Sequence, residues 1–211
     1  MKFVAIILLL LTSIFLIACS ANQASNNASN SELENLASKY GGGYVFNEKF
    51  AQEIDKQEQI RDSKRKEILE RIKTIPDKNE RNKKMREILK LEFYNNPEMQ
   101  QILSNGKQYH TINTYQKAVN LSKTYIDKVI NHIGQENYYK FTPDINVWSF
   151  YIDDNNNIVP IELTVTYNYK VKKYGLFGDE GRGFSLSKGE IHTARGGNKF
   201  ILNNNKFEKV K

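Results

Sequence analysis

The chain has 211 residues, 39% of them hydrophobic and 26% charged, with 31 Lys and Arg against 24 Asp and Glu, 12 Gly, 4 Pro and one Cys. This composition excludes a collagen-like chain, a disulfide scaffold and a multi-pass membrane protein, which need periodic glycine, paired cysteines or several long apolar runs. The formal charge of +7 suits an anionic partner or surface, but a mixed-sign surface with a modest excess is also how ordinary proteins stay soluble, so the charge alone selects no ligand.

Lys2 precedes an apolar run from Phe3 to Ala18, broken only by Thr12 and Ser13, the layout of a secretory signal. The run is shorter than the ~20 apolar residues of a spanning helix. It closes on Leu16-Ile17-Ala18-Cys19, which resembles the lipobox of bacterial lipoproteins. The resemblance implies cleavage before Cys19, a diacylglycerol thioether on its sulfur and a palmitate-type acyl chain on the new amino terminus. The residue types agree with that chemistry: Ala18 is small enough for a peptidase pocket, and Cys19 supplies the nucleophilic sulfur. Several acyl chains hold a protein on a bilayer for its lifetime, where one anchors only marginally. In such proteins an Asp after the cysteine tends to retain the chain at the inner membrane. Ser20 stands there instead, so the outer membrane is expected in a cell that has two.

Ser20 to Ser31 reads SANQASNNASNS and lacks the charged, aromatic and branched aliphatic side chains that order a segment, so residues 19–43 are expected to be a lipidated cysteine and flexible tether. Gly41-Gly42-Gly43 reads as its closing hinge, since no Lys-Ser or Lys-Thr follows to make a phosphate loop. Residues 44–211 then form a single domain. From Asn47 to about Leu91 the chain is dense in charge and helix formers, and Pro76-Asp77 divides it into two helices. Apolar positions are sparse in both: Phe50, Ile54, Ile68, Leu69 and Ile72, then Met85, Ile88, Leu89 and Phe93. Stripes this narrow predict surface helices, or helices that pair with something else. Asn96-Pro97 and Asn105-Gly106 bracket a short helix over 97–104. The strongest helical period, Ile112, Tyr115, Val119, Ser122, Ile126, Val129 and Ile133, predicts a long amphipathic helix over 111–133, stopped by Gly134.

Beyond Gly134 the period changes to two. Strands are predicted from Ile145, from Ile161 to Val171, and over Phe184–Thr193, Lys199–Leu202 and Lys206–Val210, with Asp153–Asn157 as a turn. The fold class is therefore α+β, helices over about 47–133 and an antiparallel meander over about 145–210, with the amphipathic helix on the sheet. This element order is similar to that of cystatin-like and NTF2-like folds, an analogy that carries no motif and no function.

Chemistry-bearing residues are scattered. His110, His132 and His192 form no zinc-type pair; His132 stands at a helix end, where the dipole welcomes a positive or hydrogen-bonding side chain. Asp153-Asp154-Asn155-Asn156-Asn157 starts like a calcium loop, but Ile158 and Thr164 occupy the glycine and bidentate glutamate positions, which leaves a hairpin turn. Gly175 to Gly183 carries Leu176, Phe177 and Arg182, read as a contact loop between strands, with Asp179 and Glu180 beside them. Basic residues in the helices and Lys199, Lys206, Lys209 and Lys211 could meet an anionic surface, although acidic residues interleave with the helical ones. No catalytic set, cofactor or metal site is expected, and no nucleic acid. The expected function is that of a lipid-anchored envelope protein that binds another envelope protein or supports an assembly. The alternatives are an envelope hydrolase with its pocket between helix and sheet, using His192 or Asp179 and Glu180, and a surface adhesin or anion binder.

Overall fold

The computed structural model describes residues 30–115, 118–179, 181 and 183–210. Cys19, Glu180 and Arg182 lie outside the described residues, as does the tether over 19–29. The elements are a helix over 30–40 (α1), β1 (Gly42–Val45), α2 (Glu48–Lys73), α3 (Lys78–Ile88) running into a π-helical turn (Leu89–Tyr94), β2 (Tyr109–Thr111), α4 (Lys123–Ile133), α5 (Gln135–Lys140), β3 (Asp144–Ile152), β4 (Ile158–Asp179), β5 (Gly183–Ala194), β6 (Asn198–Asn203) and β7 (Lys206–Lys209). Seven strands make a mixed sheet in the order β2-β3-β4-β1-β6-β7, with β5 paired to β4 alone. The α+β class with a C-terminal sheet is as the periodicity predicts. Two short strands from the helical half, β1 and β2, join that sheet as well, one inside it and one at its edge.

The chain divides into two compact units, where the sequence predicts a single domain. The larger comprises Gly43–His132, Ile145–Thr164 and Lys199–Lys211. Its α2 starts at Asn47, whose side chain accepts from the Phe50 amide at 3.0 Å, and ends before Pro76; Asp77 then caps α3 by accepting from the Glu80 amide at 2.7 Å. Capping oxygens satisfy amides that lack a helical partner, which is why the Pro76-Asp77 division fell where it did. Helix α3 buries no residue, in keeping with its narrow stripe. One apolar cluster joins Val45, Ala51, Ile54, Leu103, Tyr109 and Ile161. Another joins Ile68, Phe93 and Met99.

Between these clusters Glu58 of α2 accepts from the Tyr109 hydroxyl at 2.8 Å and the Gln101 amide at 2.9 Å, and stands 3.2 Å from Arg61. Arg61 is buried, donates to the Met99 carbonyl and lies over the Phe93 ring. A buried charge is tolerated when it is paired and hydrogen-bonded in this way. Burial and Glu58 together raise the Tyr109 hydroxyl pKa well above its ordinary value, so it remains a donor to the carboxylate.

Two predicted helices are corrected. Over 97–104 only the 3₁₀ turn Pro97–Met99 forms, because Ile102 bridges to Gln108 across the Asn105-Gly106 turn. The helix predicted over 111–133 occupies only Lys123–Ile133. Thr111, where it is expected to begin, instead ends β2, which pairs antiparallel with Ser149–Tyr151 of β3, and the Ile112 amide donates on to the Trp148 carbonyl at 3.1 Å. Thr111 and Thr114 reinforce the exit from that strand, the Thr114 hydroxyl accepting from the Thr111 amide at 2.9 Å. Threonine hydroxyls that serve nearby backbone offer the chain an alternative to the helical ladder. The surviving part packs on the sheet as predicted: Tyr125 meets Phe46 edge-on at 5.4 Å, and His132 meets Phe200 at 4.7 Å and Tyr44 at 5.6 Å.

The smaller unit holds the described residues up to Gly42, Ile133–Asp144 and Val165–Asn198. Here the tether expectation is corrected from residue 30 onward: α1 buries Leu33 and Ala37, and Lys140 pairs with Glu32. Gly41 is not a loose hinge. A Cβ there would stand 2.6 Å from both the Ala37 carbonyl oxygen and the Gly196 nitrogen, while the Asn198 side-chain amide donates to the Ser38 and Gly41 carbonyls at 2.8 Å each. The amide thus satisfies carbonyls at the end of α1 that have no helical donor.

Candidate functional site

Of the stretch Gly175–Gly183, predicted as a loop, Gly175–Asp179 and Gly183 instead belong to the far end of a two-stranded arm. Strand β4 continues to Asp179 and β5 begins at Gly183, antiparallel from Tyr167↔Ala194 out to Asp179↔Gly183. One extra β4 residue between Tyr174 and Phe177 makes a bulge. Along β4, Ile161, Leu163, Val165 and Tyr167 are buried, whereas Tyr174 and Leu176 further along the strand are exposed.

Tyr174, Leu176, Phe184, Leu186 and Ile191 are 68% to 82% exposed. Large apolar side chains left in the open along one element mark a contact surface rather than a core. Period-two geometry and the register put Phe184 and Leu186 on one face with Lys188, Glu190 and His192, and Tyr174 on the other with Ile191. Gly178 lies opposite Phe184, whose ring occupies the space a side chain would need: a Cβ on Gly178 would stand 2.7 Å from the ring. Of the three residues expected to make contact, Leu176 is exposed and Phe177 is half-buried with its ring across Gly175. Arg182 lies outside the described residues. Sequence reasoning missed Phe184, Leu186 and Ile191, reading them as residues of a strand in the sheet, and assigned Tyr174 to no element. The available signal was the interleaving of glycine, serine and lysine, at Gly175, Gly178, Ser185, Ser187, Lys188 and Gly189, which leaves an apolar face too thin to make a core.

The base of the arm is polar. Lys173 pairs with Glu190 at 2.7 Å and, by that contact, holds the Glu190 carboxyl below its ordinary pKa. Glu190 also lies 3.8 Å from His192, which is tilted against Tyr169 at 5.7 Å. The Tyr169 hydroxyl donates to Glu34 at 2.5 Å, and this bond raises its pKa. His192 therefore faces a carboxylate and a ring on an open ribbon, with no nucleophile among these partners. Asp179 is the last residue of β4.

The other histidines are packing residues. His110 lies in β2 against Tyr115 and Phe150 at 5.0 and 5.3 Å, and burial lowers its pKa. His132 stands in the last turn of α4, packed among Tyr44, Phe200 and Phe207, and burial lowers its pKa. Asp153 accepts from the Asn155 and Asn157 amides at 2.9 and 2.8 Å. Bonds to Asn157 above all hold its carboxyl below the usual range, and its oxygens close the predicted turn. Among the described residues no three His, Cys, Asp or Glu side chains group as a metal site.

One cavity, of about 460 Å³, lies between α4, the segment leading to it and β3. Ile112, Tyr115, Val119, Ile126, Val147 and Phe150 line it with Asn120, Asn146, Leu121 and Ile145, and among the described residues that line it there is no carboxylate, histidine or lysine. No family model, curated protein or solved structure matches the chain.

Proposed function

We propose that this chain is a bacterial envelope lipoprotein, held to the membrane by lipid on Cys19, that works by binding a protein partner rather than by catalysis, with the β4–β5 arm as its contact element. The anchoring half of the reading rests on Leu16-Ile17-Ala18-Cys19 at the end of a signal-like run, and Ser20 favours the outer membrane where there are two. The binding half rests on one observation: five large apolar side chains of the arm stand 68% to 82% exposed. A two-stranded ribbon is marginal in water by itself and gains stability when its apolar side chains are covered.

Photo-crosslinking amino acids placed at Leu176 and Phe184 in intact cells test the reading. Discrete adducts are expected from both sites and none from Lys83, an exposed position on α3. Leu176→Ser with Phe184→Ser should abolish adducts formed from a third site at Leu186. Absence of any arm adduct above the Lys83 background would refute it.

A further inference from the structure

Strand β5 has a ladder partner on one side only. It pairs with β4 along Gly183–Ala194, and among the described residues no strand pairs with its other edge. An open edge offers backbone donors and acceptors to another strand, and proteins blunt such edges with proline, bulges or charged side chains, lysine above all; the charges β5 carries, Lys188 and Glu190, are of opposite sign. β5 contains no proline, and the extra residue of the arm's bulge lies on β4.

The sequence of β5, GFSLSKGEIHTA, is complementary to itself about Gly189. A two-fold axis through an antiparallel strand pair sets one residue opposite its own copy and neighbours opposite neighbours. With Gly189 at the axis, Lys188 faces Glu190 of the other copy, twice over, Leu186 faces His192 and Phe184 faces Ala194. Moving the axis to Lys188 or to Glu190 sets like charges directly opposite one another, which is destabilising. The Gly189 register also leaves the axis, where the two strands meet residue on residue, without a side chain. The result is a four-stranded sheet, β4-β5-β5-β4, with Phe184 and Leu186 of both copies on one face, and sheets of three or more strands with an apolar face are stable where a lone hairpin is not.

We propose that the protein forms a two-fold dimer by antiparallel pairing of β5 with β5 of a second copy, with Gly189 opposite Gly189. This rests on the arm being the contact element and names its partner as another copy of the chain.

Sedimentation equilibrium of the full chain in detergent tests it. A dimer is expected. Lys188→Glu alone, or Glu190→Lys alone, should raise the dimer dissociation constant roughly tenfold, because symmetry applies each like-charge pair twice. The double exchange Lys188→Glu with Glu190→Lys should restore the original value. Circular dichroism of all three variants should match the parent, which separates loss of pairing from loss of fold. A chain that stays monomeric at every concentration, or a dimer indifferent to both single reversals, overturns the proposal. A monomer whose arm still cross-links to a different envelope protein, or that binds phospholipid vesicles through Leu176 and Phe184, overturns the dimer and leaves the arm as a contact element. Loss of every arm cross-link removes both.

Discussion

A methyl group at residue 196 would overlap the carbonyl oxygens of Gly41 and Ala37. These are backbone atoms at the end of α1, where the Gly41 amide donates to the Ala37 carbonyl at 2.8 Å, so they cannot swing aside as a side chain would. Gly197, next in sequence, has nothing within 4 Å of its would-be Cβ. The two neighbouring glycines therefore predict opposite outcomes. Gly196→Ala should cost about 2 kcal/mol, in the range of overpacking, and lower Tm by about 4–8 °C, while Gly197→Ala should leave Tm within about a degree. Thermal melts followed by circular dichroism decide it, and equal Tm values for the two variants would contradict the close approach. The sequence shows Gly41-Gly42-Gly43 and Arg195-Gly196-Gly197 as two breaks in periodicity. That one glycine packs on another far along the chain is invisible there, because a residue without a side chain carries no pattern of its own.

Helix α2 and the π-helical turn are joined by a charge clamp. Arg71 holds both carboxylate oxygens of Glu92, at 3.1 and 2.6 Å, and Lys64 reaches the same carboxylate at 3.0 Å. The Arg71 and Lys64 hydrogen bonds bring the Glu92 carboxyl down from an ordinary 4.5 to about 2. Since the folded value lies below the unfolded one, the clamp stabilises the fold above the ordinary value, and its contribution is lost as pH falls from about 4.5 through about 2. Tm measured between about pH 6 and pH 2 should therefore fall more steeply for the parent than for Glu92→Gln. The clamp is exposed, so the difference should be small and should shrink at about 1 M salt. Parallel pH profiles at low salt would show that the clamp contributes nothing. The two helices it joins were legible from Asn47, Pro76 and Asp77, because caps and breakers act within a few residues. The seam from Ile112 to Ile133 misled for the complementary reason: its spacing fits a helix throughout, but at its start the pairing of Tyr109–Thr111 with Ser149–Tyr151 carries on to Ile112, whose amide donates to the Trp148 carbonyl at 3.1 Å, and there tertiary pairing outweighs a local period. The arm was half legible, as a stretch rich in glycine with apolar residues, whereas the long pairing of β4 with β5 that carries it joins residues as far apart in sequence as Tyr167 and Ala194, which no local pattern shows.

At the scale of the whole molecule, the proposed anchor and the charge excess make different predictions about what holds the chain to a membrane. No helix among the described residues is long and apolar enough to cross a bilayer, and the formal charge is +7. Attraction of basic residues to anionic headgroups is worth about 1 kcal/mol per residue near the surface and decays within a Debye length of ~8 Å at physiological salt, so about 1 M salt should release a protein held that way. Acyl chains contribute ~0.8 kcal/mol per buried CH₂ whatever the ionic strength, so a triacylated Cys19 should resist salt and yield only to detergent. The full chain should incorporate labelled palmitate, stay with membranes through a high-salt wash and enter the detergent phase on phase separation. Cys19→Ser should take up no label and keep its leader, running as a larger species, because the lipidated sulfur precedes the cut. Ser20→Asp should keep the label and shift the protein toward the inner membrane of a two-membrane cell. Release of the unsubstituted chain by salt alone would assign its retention to charge and overturn the anchor, and the arm would then have to act from a protein that the lipid does not position.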